Sequence, residues 1–346
     1  MKRLFLIFGL AMLVASCGGE KAQTASTTTE APKRHGWDGF ELYGDVAQLV
    51  LTEWKASEKF GEVVKDKLDN KRVWTFDERG NVVSHTDYDS NGKLDNKGIY
   101  KYDNEGRCVD YSVYGPDGKL RFKTIFRYDD KGNCIEEARY DADDRLSDKT
   151  VGKFNDNGKC VEVAWYDADG RLWWKWIRKY DSKGNLIEWA GYEADGKVEW
   201  KEFNKYDSKG NCIEEARYGA DGKLWWKYAR KYDSKGNLIE WADYNSDGKV
   251  SMMHTLIYND RGAVVEQQLS DPLDHEISKV TITYGADGKL AERVVERVYD
   301  AENIKKEKYT QFKHDSHGNL TESRDYEYKG EIVVPKSIVE YEITYR

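Results

Sequence analysis

A unit of 26 residues recurs along most of the chain, and a fixed period of that length constrains the fold more than any single residue does. From Cys160 the blocks read CVEVAWYDADGRLWWKWIRKYDSKGN, from Leu186 LIEWAGYEADGKVEWKEFNKYDSKGN, from Cys212 CIEEARYGADGKLWWKYARKYDSKGN, and from Leu238 LIEWADYNSDGKVSMMHTLIYNDRGA. The register extends back to Val82 and forward through Val264 to Leu290, after which a block four residues longer leads to Leu320.

Each block carries two turn signals, a DGK or DGR near its middle and a KGN-type sequence at its end, with alternating β-branched and aromatic residues between them. Glycine supplies the positive φ of a tight turn and the adjoining Asp or Asn tolerates it, so each block reads as a β-hairpin. Asp144, in DADDRL, stands where matching blocks have glycine. Two strands per block give about twenty strands, all sequence neighbours, and the expected fold is all-β. It is an antiparallel meander forming a curled single-layer sheet or a spiral. Residues 82–289 form the regular repeats, 37–81 supply N-terminal capping strands, and 290–346 form irregular C-terminal capping repeats. Within the N-terminal cap, Val46 to Ala56 and Glu62 to Phe76 read as two longer strands joined around Lys59, Phe60 and Gly61, with a helix as the alternative.

If residues opposite each other across both turns share a face, Leu186, Glu188, Ala190 and Tyr192 line up with Val198, Trp200, Glu202, Asn204 and Tyr206 as an inner face. That register sets Glu188 opposite Arg178 and Glu240 opposite Arg230. It also places Cys108, Cys134, Cys160 and Cys212 where other blocks have Leu186, Leu238 or Val264, so the cysteines read as small hydrophobes. Neighbouring copies lie two strands apart, about 9.5 Å, beyond the roughly 7 Å that a disulfide spans. The other face then mixes large aromatics with lysine. Trp165, Trp173, Lys175, Trp189, Lys201, Trp225, Lys227 and Trp241 are its candidate ligand contacts, and nine of the twelve tryptophans fall between Trp165 and Trp241. Flat rings can stack on sugars while lysines donate hydrogen bonds; the same residues can also pack on each other as a cross-strand ladder.

The sequence YDSKGN at Tyr180, Tyr206 and Tyr232 resembles the YD repeats of RHS proteins, and YEADGKV and YGADGKL resemble the MORN-like repeat of small bacterial envelope and antitoxin proteins. The likeness covers Val73 to Arg346. It implies a long curled sheet built from hairpins, an RHS-like spiral around a cavity, and repeats that are not catalytic in themselves.

The first sixteen residues hold Lys2 and Arg3, the apolar run Leu4 to Val14, then Ala15 and Ser16 before Cys17, which is the pattern of an export signal. The apolar run is about 11 residues, short of the roughly 20 that cross a bilayer. Val14-Ala15-Ser16-Cys17 resembles the bacterial lipobox, which implies cleavage before Cys17 and lipid attachment to it. Residues 1–16 are then the signal peptide, and 17–36, small and polar, are a lipidated flexible tether. No aspartate follows Cys17, which by the enteric sorting rule leaves outer-membrane sorting open; the expected location is the outer membrane, with the membrane face open. A net charge of -8 disfavours nucleic acid as a partner.

The six histidines do not recur with the repeat, and His314 with His317 reads as chance substitution near a turn rather than as a metal pair. The DADG turns lack the closing glutamate of a calcium loop. No nucleophile elbow, cysteine–histidine pairing or phosphate loop is present in the sequence. The expectation is a non-enzymatic lipoprotein of the cell envelope that takes no cofactor or metal, is tied to the membrane by its lipid, and presents a repeat surface to a glycan or protein. A structural spacer, or an immunity protein for a co-encoded toxin, are the alternatives.

Overall fold

The computed structural model describes residues 37–272, 277–298 and 304–346; the signal segment, Cys17, the tether, His35 and His275 lie outside the described residues. Five strands open the chain: β1 (Val46–Lys59), β2 (Glu62–Phe76), β3 (Val82–Tyr88), β4 (Leu94–Tyr102) and β5 (Cys108–Tyr114). Ten more follow: β6 (Leu120–Tyr128), β7 (Cys134–Asp141), β8 (Leu146–Phe154), β9 (Cys160–Asp167), β10 (Leu172–Tyr180), β11 (Leu186–Glu193), β12 (Val198–Tyr206), β13 (Cys212–Gly219), β14 (Leu224–Tyr232) and β15 (Leu238–Tyr244). The last seven are β16 (Val250–Tyr258), β17 (Val264–Ser270), β18 (Ile277–Tyr284), β19 (Leu290–Val298), β20 (Ile304–His314), β21 (Leu320–Lys329) and β22 (Ile332–Tyr345). The region open to a helical reading is strand, with Phe60 and Gly61 both at positive φ in the turn.

All 22 strands belong to one antiparallel sheet. β1 pairs with β2 along one edge and with β22 along the other, so the sheet closes on itself in its hydrogen bonding. This corrects the open curled sheet or spiral. The physical reason lies in two long partners: an end strand left open would present a row of unpaired N–H and C=O groups, and β1 and β22, each of 14 residues, satisfy one another. Chain contacts divide the described residues into two units, Phe122–Met252 and a second made of those within 37–121 and 253–346, and the closing ladder lies within the second. There Trp37, Val46, Leu49, Trp74, Phe76 and Val82 form a buried cluster, joined by Tyr341, Ile343 and Tyr345 of β22. Asn319, 1% exposed, accepts from the Tyr43 amide at 2.7 Å and donates to the Tyr43 carbonyl at 2.8 Å.

The turn motif explains its own composition. At Asp181 the backbone N–H donates to the Asn185 carbonyl at 2.9 Å, and Gly184, at φ +84°, donates back to Asp181 at 3.0 Å. The Asp181 carboxylate accepts the amides of Lys183 and Asn185, each at 2.8 Å, and the Asn185 side chain at 2.9 Å. These donors, the Asn185 side chain foremost, hold the Asp181 carboxyl below the ordinary aspartate range. The tyrosine before it ties the hairpin to the preceding one: the Tyr180, Tyr206 and Tyr232 hydroxyls donate to the carbonyls of Cys160, Leu186 and Cys212 at 2.9, 2.8 and 2.9 Å. Asp144 occupies the glycine position at φ 66°. Asp144→Gly should therefore raise unfolding stability by about 0.5–1 kcal/mol, since a non-glycine residue in that region is strained by roughly 1–2 kcal/mol and the exposed contact to Lys123 returns less. Urea denaturation measures this directly, and a loss of stability would count against the strain.

Each described ladder from β9 to β15, and likewise β16 with β17, carries one register shift just after the turn, a β-bulge that adds one residue to the incoming strand. Between Leu172↔Tyr166 and Trp174↔Trp165 the extra residue is Trp173; between Tyr180↔Leu186 and Lys179↔Glu188 it is Ile187. The bulge moves the following strand by one, so the expected face assignment is corrected. Arg178 pairs with Trp189 and Lys179 with Glu188, and likewise Arg230 with Trp241 and Lys231 with Glu240. Neither Glu188 nor Glu240 faces the arginine expected for it. None of these four cysteines is in a disulfide, Cys108 and Cys134 are buried, and burial pushes the Cys134 and Cys160 thiols up to about 11.

Candidate functional site

In the unit Phe122–Met252, the two faces of the sheet differ in chemistry. One is lysine-rich and internally paired. Lys153, Lys179, Lys205 and Lys231 meet Glu162, Glu188, Glu214 and Glu240 across strands at 2.7–2.9 Å. Lys175 lies over the Tyr192 ring at 5.7 Å and Lys227 over Tyr244 at 4.0 Å. Lys201 stands opposite Tyr218, whose ring meets Phe203 edge-on at 6.1 Å beside an open groove of about 750 Å³. These pairs are cross-strand neighbours on a wet surface, where water screens the charges and each pair adds little to stability.

The opposite face gathers tryptophan and arginine. By register it carries Trp165 of β9, Trp174, Trp176 and Arg178 of β10, Trp189 of β11, Trp200 and Glu202 of β12, Arg217 of β13, Trp226 and Arg230 of β14 and Trp241 of β15. The indoles touch in series: Trp165 to Trp174 at 4.9 Å, Trp174 to Trp200 at 6.3 Å, Trp200 to Trp189 at 5.2 Å and Trp189 to Trp176 at 5.9 Å. Gly191 makes room for this, because a Cβ there would stand 2.5 Å from the Trp200 indole nitrogen. Trp176 is 1% exposed, whereas Trp165, Trp174, Trp189 and Trp226 are half-buried and keep free surface.

Guanidinium groups lie on these rings. Arg178 is 4.2 Å from Trp176 and 4.6 Å from Trp189, and Arg217 is 4.0 Å from Trp200 and 5.1 Å from Trp226. Arg217 donates through Nη2 to Glu202 at 2.6 Å, and Arg230 through Nη2 to Glu215 at 2.7 Å. Burial raises the Glu202 carboxyl above the ordinary range, against the opposing hydrogen bond from Arg217.

The candidate contacts from the sequence therefore divide. Trp165, Trp189 and Trp241 share the tryptophan face; Lys175, Lys201 and Lys227 lie on the other. Trp173 and Trp225 are bulge residues beside the DG turns, 56% and 45% exposed. The arginines and Trp174, Trp176, Trp200 and Trp226 were absent from that list, although the alternation Trp174, Trp176, Arg178 within β10 carries the signal. His317 stacks on Tyr345 at 4.3 Å, and His314 pairs with Leu320 in a ladder. Among the described residues no group of three or more His, Cys, Asp or Glu side chains could hold a metal, and no helix is long and apolar enough to cross a membrane.

Further along the same face Glu137 of β7 lies two strands from Trp165, across Thr150. Burial, with the Asp148 charge second and Arg139 opposing, lifts its carboxyl from 4.5 to about 7. An acid whose folded value is raised stabilises the fold while protonated. The contribution is full below 4.5 and is lost as pH rises through about 7. Glu137→Gln should flatten the stability profile between about pH 5 and 8, by at most about 3 kcal/mol. Urea denaturation at both ends of that window checks it, and an unchanged slope would refute it.

The fold and this face define a closed antiparallel β-repeat protein with an aromatic, arginine-bearing surface. The sequence matches no protein-family profile and no curated protein. Among solved structures the chain is similar to TcdB2-TccC3-Cdc42 at 12% identity and a TM-score of 0.31, over 76% of this chain and 19% of that one. It is similar to a porin-like protein from Bacteroides uniformis ATCC 8492 at 11% identity and a TM-score of 0.31, over 88% and 99%. The V. cholerae biofilm matrix protein Bap1 follows at 11% identity and a TM-score of 0.18, over 88% and 68%. At these TM-scores none of them bears on function.

Proposed function

We propose that the protein is a non-enzymatic, lipid-anchored protein of the cell envelope, built from YD-type, RHS-like repeats, that binds a glycan on its tryptophan face. The observation that supports this is the run of touching indoles from Trp165 to Trp200, of which Trp165, Trp174 and Trp189 are partly open, beside arginine, glutamate and asparagine side chains. Flat rings match the apolar faces of sugars, and planar donors and carboxylates match hydroxyls. Cys17 carries the lipid in this reading, and the outer membrane is the site. Binding on a glycan array, weakened about tenfold by Trp174→Ala while Trp173→Ala has no effect, is the expected result. Equal effects of the two substitutions, or no binding by the intact chain, would sink the proposal. Cys17→Ser should also move the protein out of the membrane fraction.

A structural spacer is the second reading, favoured by the periodic Lys–Glu ladder of the other face. Its mark would be a function indifferent to every tryptophan of β9 to β12.

A further inference from the structure

The repeat supplies an acid to two of the three arginines between β10 and β14 and withholds it from the third. Arg217 bonds Glu202 and Arg230 bonds Glu215, each acid fifteen residues before its arginine. The residue fifteen before Arg178 is Val163, which is 0% exposed. Arg178 is itself only 6% exposed, and its Nε and Nη2 have no hydrogen-bond partner. Those two donors form the side-on fork of the guanidinium, the edge whose spacing matches the two oxygens of a carboxylate.

The surroundings are built around that fork. Trp176 and Trp189 lie against the guanidinium. Trp189 Nε1 and both amide atoms of Asn204, 6% exposed, are also without partners. Glu202 is within electrostatic reach of Arg178, but its carboxylate is engaged by Arg217. A buried guanidinium whose donors are not bonded to an acid is unfavourable, and its ring contacts offset only part of that cost.

We infer that Arg178 is the receptor for the carboxylate of an acidic saccharide, with Trp189 and Asn204 supplying the flanking hydrogen bonds. The inference rests on the glycan reading and names the sugar class: uronic or similarly carboxylated residues. Both fork atoms are shielded from solvent, so the ligand enters by displacing a side chain, and half-buried Trp189 is the ring that lies over them. In the repeat, Val163 in place of glutamate leaves the fork for the ligand.

The test measures binding of uronate oligosaccharides, their carboxyl-reduced counterparts and inorganic phosphate to the full-length protein by calorimetry. The uronates should bind at least about tenfold more tightly than the reduced sugars. Arg178→Lys, which keeps the charge and loses the fork, should abolish the difference. Val163→Glu, which copies the Glu215–Arg230 arrangement, should do the same, and melting curves establish that each variant is folded. If reduced and intact sugars bind alike with Trp174 still required, the subsite is wrong and the glycan reading stands. If no sugar binds, both fall. Phosphate competing as well as the uronates would overturn the saccharide carboxylate in favour of a free anion.

Discussion

Replacing Trp176 with alanine should lower the free energy of unfolding by about 3–5 kcal/mol, the range for deleting a fully buried large ring. The side chain is 1% exposed and packs with Val163 among Trp165, Trp174 and Trp189. It also carries the Arg178 guanidinium at 4.2 Å, so the variant leaves a cavity and uncovers a buried charge together. Those two costs share one side chain and place the loss at the upper end. Trp173→Ala, three residues back and 56% exposed, should cost no more than about 0.5 kcal/mol. Urea denaturation of the pair is a direct test of which face of β10 is buried. Comparable losses would mean that the bulge after the DGR turn is misplaced.

That contrast also marks where the sequence was readable. The turns were legible because their chemistry is local: Asp181, Gly184 and Asn185 make their bonds within five residues of each other. Strand positions followed, including β2, whose observed limits Glu62–Phe76 match the expectation. The bulges were not legible, since a residue such as Trp173 or Ile187 differs in no local way from its neighbours. One uncounted residue at each turn exchanges the two faces of the next strand. Hence Trp189 was grouped with Lys175 and Lys201, and Glu188 was set against Arg178 instead of Lys179.

Closure was hidden for a different reason. The contacts that make it join residues such as Trp54 and Glu340, whose side chains bond at 3.0 Å across 286 positions, and no periodicity reports a pairing between the ends of a repeat array. The length of β1 and β22, 14 residues against seven to nine in the regular strands, is the trace it leaves in the sequence. The missing acid of Arg178 was legible in principle. It needs only the comparison of Val163 with Glu215 one hairpin pair apart, once the fifteen-residue offset of the ion pairs is known.

Truncation after Lys329, which removes β22, should abolish cooperative folding and drive the chain to aggregate. Both β1 and β21 would lose a full row of backbone partners, including Leu49↔Ile343 and Trp54↔Ile338 on one side and Ser323↔Val339 on the other. The buried cluster around Val46 would lose Tyr341, Ile343 and Tyr345 at the same time. Two long, unpaired, partly apolar edges are templates for intermolecular pairing. An open meander behaves otherwise: its stability is a sum over neighbouring units, so losing a terminal strand costs only that strand's interface. Ile338→Lys, at a position 2% exposed between β1 and β21, gives the graded form of the experiment and should cost several kcal/mol without deleting backbone. Light scattering after size exclusion, with hydrogen exchange at β1, reads both variants. A truncated chain that stays monomeric with β1 protected would show that the ladder between the first and last strands does not hold the sheet together.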